Sequence, residues 1–281
     1  MIDNIVYLSG KFVEKSDAFV SPFDRGFQYG DSVYEVIPIV KALPRSFDES
    51  WIRLKLSAAS LSISLGLSKN TLYSILSEII KLNKVDGGYL YIQVSRGISE
   101  ARHKIEDYCS RTILIYTVSV DLIKQIRDRV PLSVITCEET RWSGREVKCT
   151  NLVPNVLAKE KAYREDASEA IFISSGEVNE GASSSIFFVK NGRIYSRKSD
   201  SNILKGIRAQ LVKKIARDLN YEVVDCVFSI EDLLSADEIF LTSATLGVAP
   251  VGKVDGVFIN QGLIGKHTKI LRDEMIAWLS R

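Results

Sequence analysis

Arg141-Trp142-Ser143-Gly144-Arg145-Glu146-Val147-Lys148-Cys149-Thr150-Asn151-Leu152 is the stretch on which the reading turns. It offers an amine, Lys148, immediately before a helical stretch expected over 151–164. Further along, Val178-Asn179-Glu180-Gly181-Ala182-Ser183-Ser184-Ser185-Ile186-Phe187-Phe188 offers a carboxylate, Glu180, in what reads as a turn leading into an apolar strand. Taken singly, each has an ordinary explanation. The chain holds 37 Lys and Arg residues, so one lysine means little by itself, and a turn carboxylate often caps nearby N–H groups. Cys149 beside Lys148 reads as a small side chain filling space.

Outward from these two stretches the chain divides. In the first part, Ile5 to Val13 alternates around Ser9-Gly10, a hairpin signal. Residues 32–37 read as a strand. A helix follows with Asp48 as its N-cap, an apolar face of Trp51, Leu54, Ala58, Leu61 and Leu65, and Gly66 as its end. A second helix starts near Ser68 and carries Leu72, Ile75, Leu76, Ile79 and Ile80. Strands over 89–94 and 113–120 flank a long charged loop, 96–111, of the kind that often serves function. A linker is expected at 121–130. Beyond it strands and helices alternate: strands at 132–136, 170–173 and 186–189, a tight turn at Asn191-Gly192, helices at 206–219 and 269–279, and strands at 222–227 and 238–241. The expectation is an α+β protein in two parts, 1–120 and 131–281.

Composition narrows the function classes. With 281 residues and 46% hydrophobic content, the chain can bury a sizeable core. Thirty-seven basic residues against 35 acidic ones give a net charge of +2, without a basic block, which speaks against nucleic acid. The N-terminus lacks the pattern of a signal peptide, and no apolar run approaches the ~20 residues that cross a bilayer. Four scattered cysteines without metal-ligand spacing read as free thiols of a cytoplasmic protein. Only two histidines, His103 and His267, are present, which weakens a metal site or a Ser-His-Asp triad.

An amine and a carboxylate are the minimal protein equipment for pyridoxal phosphate. The lysine closes a Schiff base with the cofactor aldehyde, and the acid keeps the pyridine nitrogen protonated so that the ring accepts electrons.

A series of ordered motifs then carries a resemblance. Asp24-Arg25-Gly26-Phe27-Gln28-Tyr29-Gly30-Asp31-Ser32-Val33-Tyr34-Glu35-Val36, Arg53, Gln93-Val94-Ser95-Arg96-Gly97, the Lys148 and Glu180 stretches, Leu204-Lys205-Gly206-Ile207 and Thr242-Ser243-Ala244-Thr245 follow one another along nearly the whole chain. Together they resemble the class IV, or fold-type IV, pyridoxal-phosphate enzymes, and most of all the D-amino acid aminotransferases. The resemblance implies a small α/β N-terminal domain, a larger C-terminal pseudo-barrel domain that binds pyridoxal 5'-phosphate, and a homodimer. It implies that Lys148 binds the cofactor and moves the substrate Cα proton. Glu180 would pair with the pyridine nitrogen. Arg53, Gly206, Ile207, Arg208, Ser243 and Ala244 would lie on the phosphate side, and Tyr34 on the substrate side. The substrates would be a D-amino acid, such as D-alanine, and a 2-oxo acid, such as 2-oxoglutarate.

The chain also departs from the pattern. Where the family's long loop carries an Arg-x-His pair for the substrate carboxylate, this chain reads Ser99-Glu100-Ala101-Arg102-His103-Lys104. His103 aligns, Ala101 stands at the arginine position, and Arg102 comes one place later, where an extended segment would turn it to the opposite side. Arg102 and His103 are nevertheless the expected carboxylate ligands, with Arg25 or Arg208 as replacements. Arg208 and Ala244 stand where threonines are usual. A branched-chain L-amino acid aminotransferase and an aminodeoxychorismate lyase share the scaffold. A cofactor-free binding protein is the reading from another class, and the joint presence of Lys148, Glu180 and Arg53 speaks against it.

Overall fold

The computed structural model describes residues 1–101, 103–106 and 110–281. The chain forms two compact units. Met1–Leu122 and Val147–Asn151 make the first; Ile123–Glu146 and Leu152–Arg281 make the second. The stretch read as a linker holds a short helix, Leu122–Arg127 (α4).

The first unit contains β1 (Ile5–Leu8), β2 (Lys11–Glu14), α1 (Arg25–Tyr29), β3 (Ser32–Val40), β4 (Leu43–Pro44), α2 (Phe47–Ser60), α3 (Lys69–Leu82), β5 (Gly87–Ser95) and β6 (Ile113–Ser119). Its strands form one antiparallel sheet in the order β2-β1-β6-β5-β3-β4. Alternation decides which face each residue takes. Val33, Ile37 and Ile39 of β3, Leu90, Ile92 and Val94 of β5, and Ile113 and Ile115 of β6 bury against Leu54 and Ala58 of α2 and Leu72, Leu76, Ile79 and Ile80 of α3. Tyr34, Tyr91 and Tyr116 take the other face and stack, with ring centroids 5.6 and 4.8 Å apart.

Two helix boundaries differ from the expected ones. The N-cap position of α2 is Ser46, and Asp48 sits in the first turn, where its charge suits the helix dipole and pairs with Lys69 at 2.9 Å. The same helix stops at Ser60 rather than at Gly66. Ser62 turns to a positive φ of 54°, and Arg96 takes the carbonyls of Leu61 and Ser62 at 2.6 and 3.0 Å, so Leu61 and Leu65 pack on the core from outside the helix. For α3, Ser68 is the N-cap, accepting from Thr71 N–H at 3.0 Å.

The second unit contains β7 (Leu132–Glu138), α5 (Val153–Arg164), β8 (Glu169–Ser174), β9 (Glu177–Gly181), β10 (Ser185–Lys190), β11 (Arg193–Arg197), α6 (Ile207–Asp218), β12 (Val223–Cys226), α7 (Ile230–Leu234), β13 (Glu238–Ser243), β14 (Gly247–Val254), β15 (Val257–Phe258) and α8 (Lys266–Ser280). Its mixed sheet runs β12-β11-β10-β13-β14-β7-β8-β9, with β15 on β14. Asn191 and Gly192, at φ 51° and 73°, make the tight turn between β10 and β11, a geometry that two-residue hairpins require. Glu180 lies within β9, not in a turn, because Ile171 and Ile173 of β8 pair with Gly181 and Val178 on either side of it.

Glu238 anchors the last helix to this sheet. Its buried carboxylate accepts from the N–H groups of His267 and Thr268 and from the Thr268 hydroxyl, at 3.0, 2.7 and 2.7 Å. A strand residue thus does the work of an N-cap that Gly265 cannot do. Gly265 is also the residue the space demands, since a Cβ there would stand 1.9 Å from Glu238 Cδ. Replacing Glu238 by Gln should destabilise the protein by about 1–3 kcal/mol, the size of losing charge-assisted bonds at a buried site, measured by urea unfolding.

Candidate active site

In the first unit, β4 pairs only with Ile39 and Val40 of β3, so the other end of β3 has an open edge. Val147–Asn151 takes it. Val33 bridges to Cys149, Tyr34 N–H donates to the Lys148 carbonyl at 3.0 Å, and Thr150 N–H donates to the Ser32 carbonyl at 3.1 Å. The hydroxyls of Ser32 and Thr150 bond to each other, and Thr150 Oγ1 donates to the Gly30 carbonyl at 3.1 Å. Lys148 N–H donates to Ser57 Oγ of α2 at 3.0 Å. With its backbone fixed on both sides, Lys148 is half-buried and sets Nζ 4.2 Å from the centroid of the Tyr34 ring, a cation–π contact.

The next residue of β3, Glu35, points into the core. It is fully buried and receives Arg53 through Nε at 2.7 Å and Nη2 at 2.8 Å. Arg53 is therefore no exposed helix arginine; it stands one turn before Ser57 on the face of α2 that meets β3. Glu35 takes two of the five N–H donors a guanidinium carries. The sequence does carry a signal for Glu35: it is an acid at a position whose period-2 neighbours, Val33 and Ile37, are core residues.

Beside Tyr34, the hydroxyl of Tyr91 is pushed up by burial and by its tyrosine neighbours. It keeps its proton and donates to Gln93 Oε1 at 2.8 Å, and Gln93 Nε2 donates to Ser32 Oγ at 3.3 Å. The bonded chain from Tyr91 thus passes through Thr150, two residues from Lys148, to the Gly30 carbonyl.

Arg25 and Arg96 share Asp31. Arg25 Nε lies 2.8 Å from Asp31 Oδ2, and Arg96 binds both carboxylate oxygens at 2.7 and 3.0 Å. Burial works to raise the Asp31 carboxyl, but the two guanidinium groups bring it below the ordinary aspartate value. Arg25 also donates through Nη1 to the Ala101 carbonyl at 2.9 Å, which fixes the start of the long loop. His103 is exposed, and Arg102 lies outside the described residues.

The second unit carries Glu180. The residue is buried, and Oε1 accepts from Arg141 Nη1 at 2.8 Å and from Leu204 N–H at 3.0 Å. A shallow cleft brings Glu180, Asn179, Ser185, Leu204 and Gly206 together. Gly206 is the N-cap of α6 and brings no side chain to the first-turn N–H groups; a Cβ there would stand 2.5 Å from Ser185 Oγ. The uncapped first turn at Ile207 is suited to a phosphate. Arg208 is buried, with its guanidinium 5.7 Å from the Trp278 ring of α8. Ser243 ends β13, and its Oγ accepts from Leu246 N–H at 3.1 Å in the turn that includes Ala244. Among the described residues, no group of three or more His, Cys, Asp and Glu side chains could hold a metal.

Taken unit by unit, the first carries an amine that suits an aldehyde and a guanidinium that suits an anion, and the second carries a buried carboxylate that suits a basic ring nitrogen and an uncapped helix start that suits a phosphate. The Amino-transferase class IV family model matches residues 32–254. The chain is 36% identical to a D-alanine aminotransferase of Bacillus licheniformis over 94% of this chain and 93% of that one. It is 32% identical to that of Listeria innocua over 98% and 96%. Among solved structures, a T.th. branched-chain amino acid aminotransferase with pyridoxamine 5'-phosphate superposes with a TM-score of 0.91 at 25% identity, covering 99% of this chain and 94% of that one. The chain belongs to the class IV aminotransferases. It is an enzyme whose cofactor is pyridoxal 5'-phosphate, on the two-part α+β fold of fold type IV.

Asp31 gives this site a pH signature. Its folded value lies below the unfolded one of about 3.9, so its contribution to stability is complete above that value and is lost as pH falls through the folded one. Asp31→Asn should unfold at lower urea concentration than the parent at pH 7, with the gap closing as pH falls through the lowered folded value.

Proposed function

We propose that this chain exchanges the amino group between D-amino acids, D-alanine among them, and 2-oxo acids such as 2-oxoglutarate. The observation that carries the D-side reading is 32–36% identity to D-alanine aminotransferases over nearly the full length of both chains. The branched-chain relatives stand at 25% or below.

When bound, pyridoxal phosphate supplies an electron sink for the pair left on the substrate Cα as its proton departs. The chain supplies the rest. Lys148 binds the cofactor covalently and carries the Cα proton, and its fixed backbone confines where the amine can reach. Glu180 holds the pyridine nitrogen. Arg53, the first-turn amides of α6 at Gly206, Ile207 and Arg208, and the turn at Ser243 and Ala244 take the phosphate. Tyr34, Arg102 and His103 face the substrate, the last two taking its carboxylate.

The enzyme works as a homodimer in this reading. Val153, Val156 and Leu157 on one side of α5, with Tyr163 two turns after Val156, are each more than 60% exposed, an apolar stripe that suits cover by a second copy. Placement in the cytoplasm is supported by Cys137, Cys149 and Cys226, all free thiols.

A panel of paired D- and L-amino acids with 2-oxoglutarate tests the substrate assignment. Turnover of D-alanine at least about a hundredfold above L-alanine, L-leucine and L-valine is expected, a gap of roughly 2.7 kcal/mol in transition-state binding. Preference for L-leucine or L-valine would place the chain with the branched-chain enzymes, and release of pyruvate from aminodeoxychorismate would make it a lyase.

A further inference from the structure

Glu180 is held from behind by a second acid and two arginines. Glu139, just past β7, accepts from Arg141 Nε and Nη2 at 3.0 and 2.7 Å, from the Arg141 backbone N–H at 3.0 Å and from Asn179 Nδ2 at 3.0 Å. Arg145 Nε lies 3.5 Å from the same carboxylate, and Arg145 Nη1 reaches Asn202 Oδ1 at 3.0 Å. Oriented this way, and laid against the Phe172 ring at 4.3 Å, Arg141 directs Nη1 at Glu180 Oε1. The side chains of Arg141, Glu139 and Glu180 are 9, 3 and 6% exposed, so these charges act on each other with little screening by water.

We propose that Arg141, fixed by Glu139, is a positioning residue that keeps Glu180 a carboxylate and so leaves the proton of the Glu180–pyridine contact on the ring nitrogen. The inference rests on the reading of Glu180 as the partner of that nitrogen. A buried carboxylate without a cation gains proton affinity and would compete with the ring for the shared proton. A guanidinium at 2.8 Å has the opposite effect, because it stays charged throughout the working range. Burial works against the charge of Arg141, yet Glu139 and Glu180 together raise its pKa. Burial likewise works against Glu139, and Arg141 and Asn179 hold it below the ordinary glutamate value.

Two other charged residues line the same cleft, each with a partner of its own. Arg197 of β11 donates to the Val178 carbonyl at 3.0 Å and pairs with Asp200 at 3.0 Å. Lys213 of α6 lines the cleft but bonds to Asp225. Glu180 Oε1 also binds the Leu204 N–H, two residues before Gly206, so the fork that orients Glu180 steadies the approach to the uncapped start of α6 as well.

The test uses the holoenzyme reconstituted with pyridoxal phosphate carrying ¹⁵N at the ring nitrogen. The nitrogen resonance and the visible absorbance are followed against pH. In the wild type the resonance is expected to stay at its protonated position from about pH 6 to about pH 9. Arg141→Gln removes the cation, and the resonance should move toward its unprotonated position throughout that range, because the proton passes from the ring nitrogen to Glu180. Arg141→Lys keeps the charge but cannot bridge both acids. It should move the resonance in the same direction by less, since the charge is kept while one of the two contacts is lost. A wild-type resonance and pH profile in either variant overturns the inference, and Arg141→Lys decides alone should the Gln variant fail to fold or to bind. A wild-type protein that takes up no pyridoxal phosphate at all would overturn the functional reading itself. That outcome is distinct from cofactor-loaded variants that behave like the wild type.

Discussion

The backbone ladder between Tyr34 and Lys148 is the constraint on which the rest of the site depends. An open strand edge leaves N–H and C=O groups in need of partners. Residues 147–151 supply them, and Ser57 closes the Lys148 N–H from the other side. The amine is thereby carried on a segment tied to β3 by an isolated bridge at Cys149 and by backbone hydrogen bonds on either side of it. β3 then works with both faces. Tyr34 presents its ring to Lys148, and Glu35, pointing the other way, holds Arg53. Residues 53, 57 and 148 have fixed relations because one strand and one helix position all of them.

Charge inside this protein comes in answered groups. Glu35 has Arg53, Asp31 has Arg25 and Arg96, and Glu139 and Glu180 share Arg141. Removing one member of a buried pair leaves the other without compensation, at a cost of several kcal/mol. Such pairs are weak sources of net stability but strong sources of geometry. Here they orient Glu180 and Arg53, the acid and the arginine proposed to meet the cofactor. The same argument explains why Arg25, a candidate for the substrate carboxylate on sequence, is already engaged with Asp31 and the Ala101 carbonyl.

Much of this is legible in the sequence, for identifiable reasons. The hairpin at Ser9-Gly10, the Ser68 cap and the turn at Asn191-Gly192 are set by local chemistry, and all three stand where the residues place them. Lys148, Glu180 and Arg53 each have an ordinary local reading and stand out only through the ordered series of motifs that carries the family resemblance. Their partners are harder to read: Glu35 shows only as an acid in a core register, and Glu139 matters through Arg141 for Glu180, which lies far along the chain. The end of α2 escapes a local reading for a similar reason: Arg96, distant in sequence, takes the carbonyls that would have continued the helix. Gly181 and the three serines after Glu180 suggest a turn, whereas pairing with β8 makes Glu180 part of a strand. Arg102 lies outside the described residues, so the one-residue displacement of the loop arginine is a matter for kinetics.

The central claim is that Lys148, held on the edge of β3, is the residue that binds the cofactor. Borohydride reduction of the holoenzyme, followed by proteolysis and mass mapping of the phosphopyridoxyl group, tests it directly. The label should fall on the peptide containing Lys148, with stoichiometry matching the loss of visible absorbance. Label on another lysine, with Lys148 unmodified, would contradict the claim.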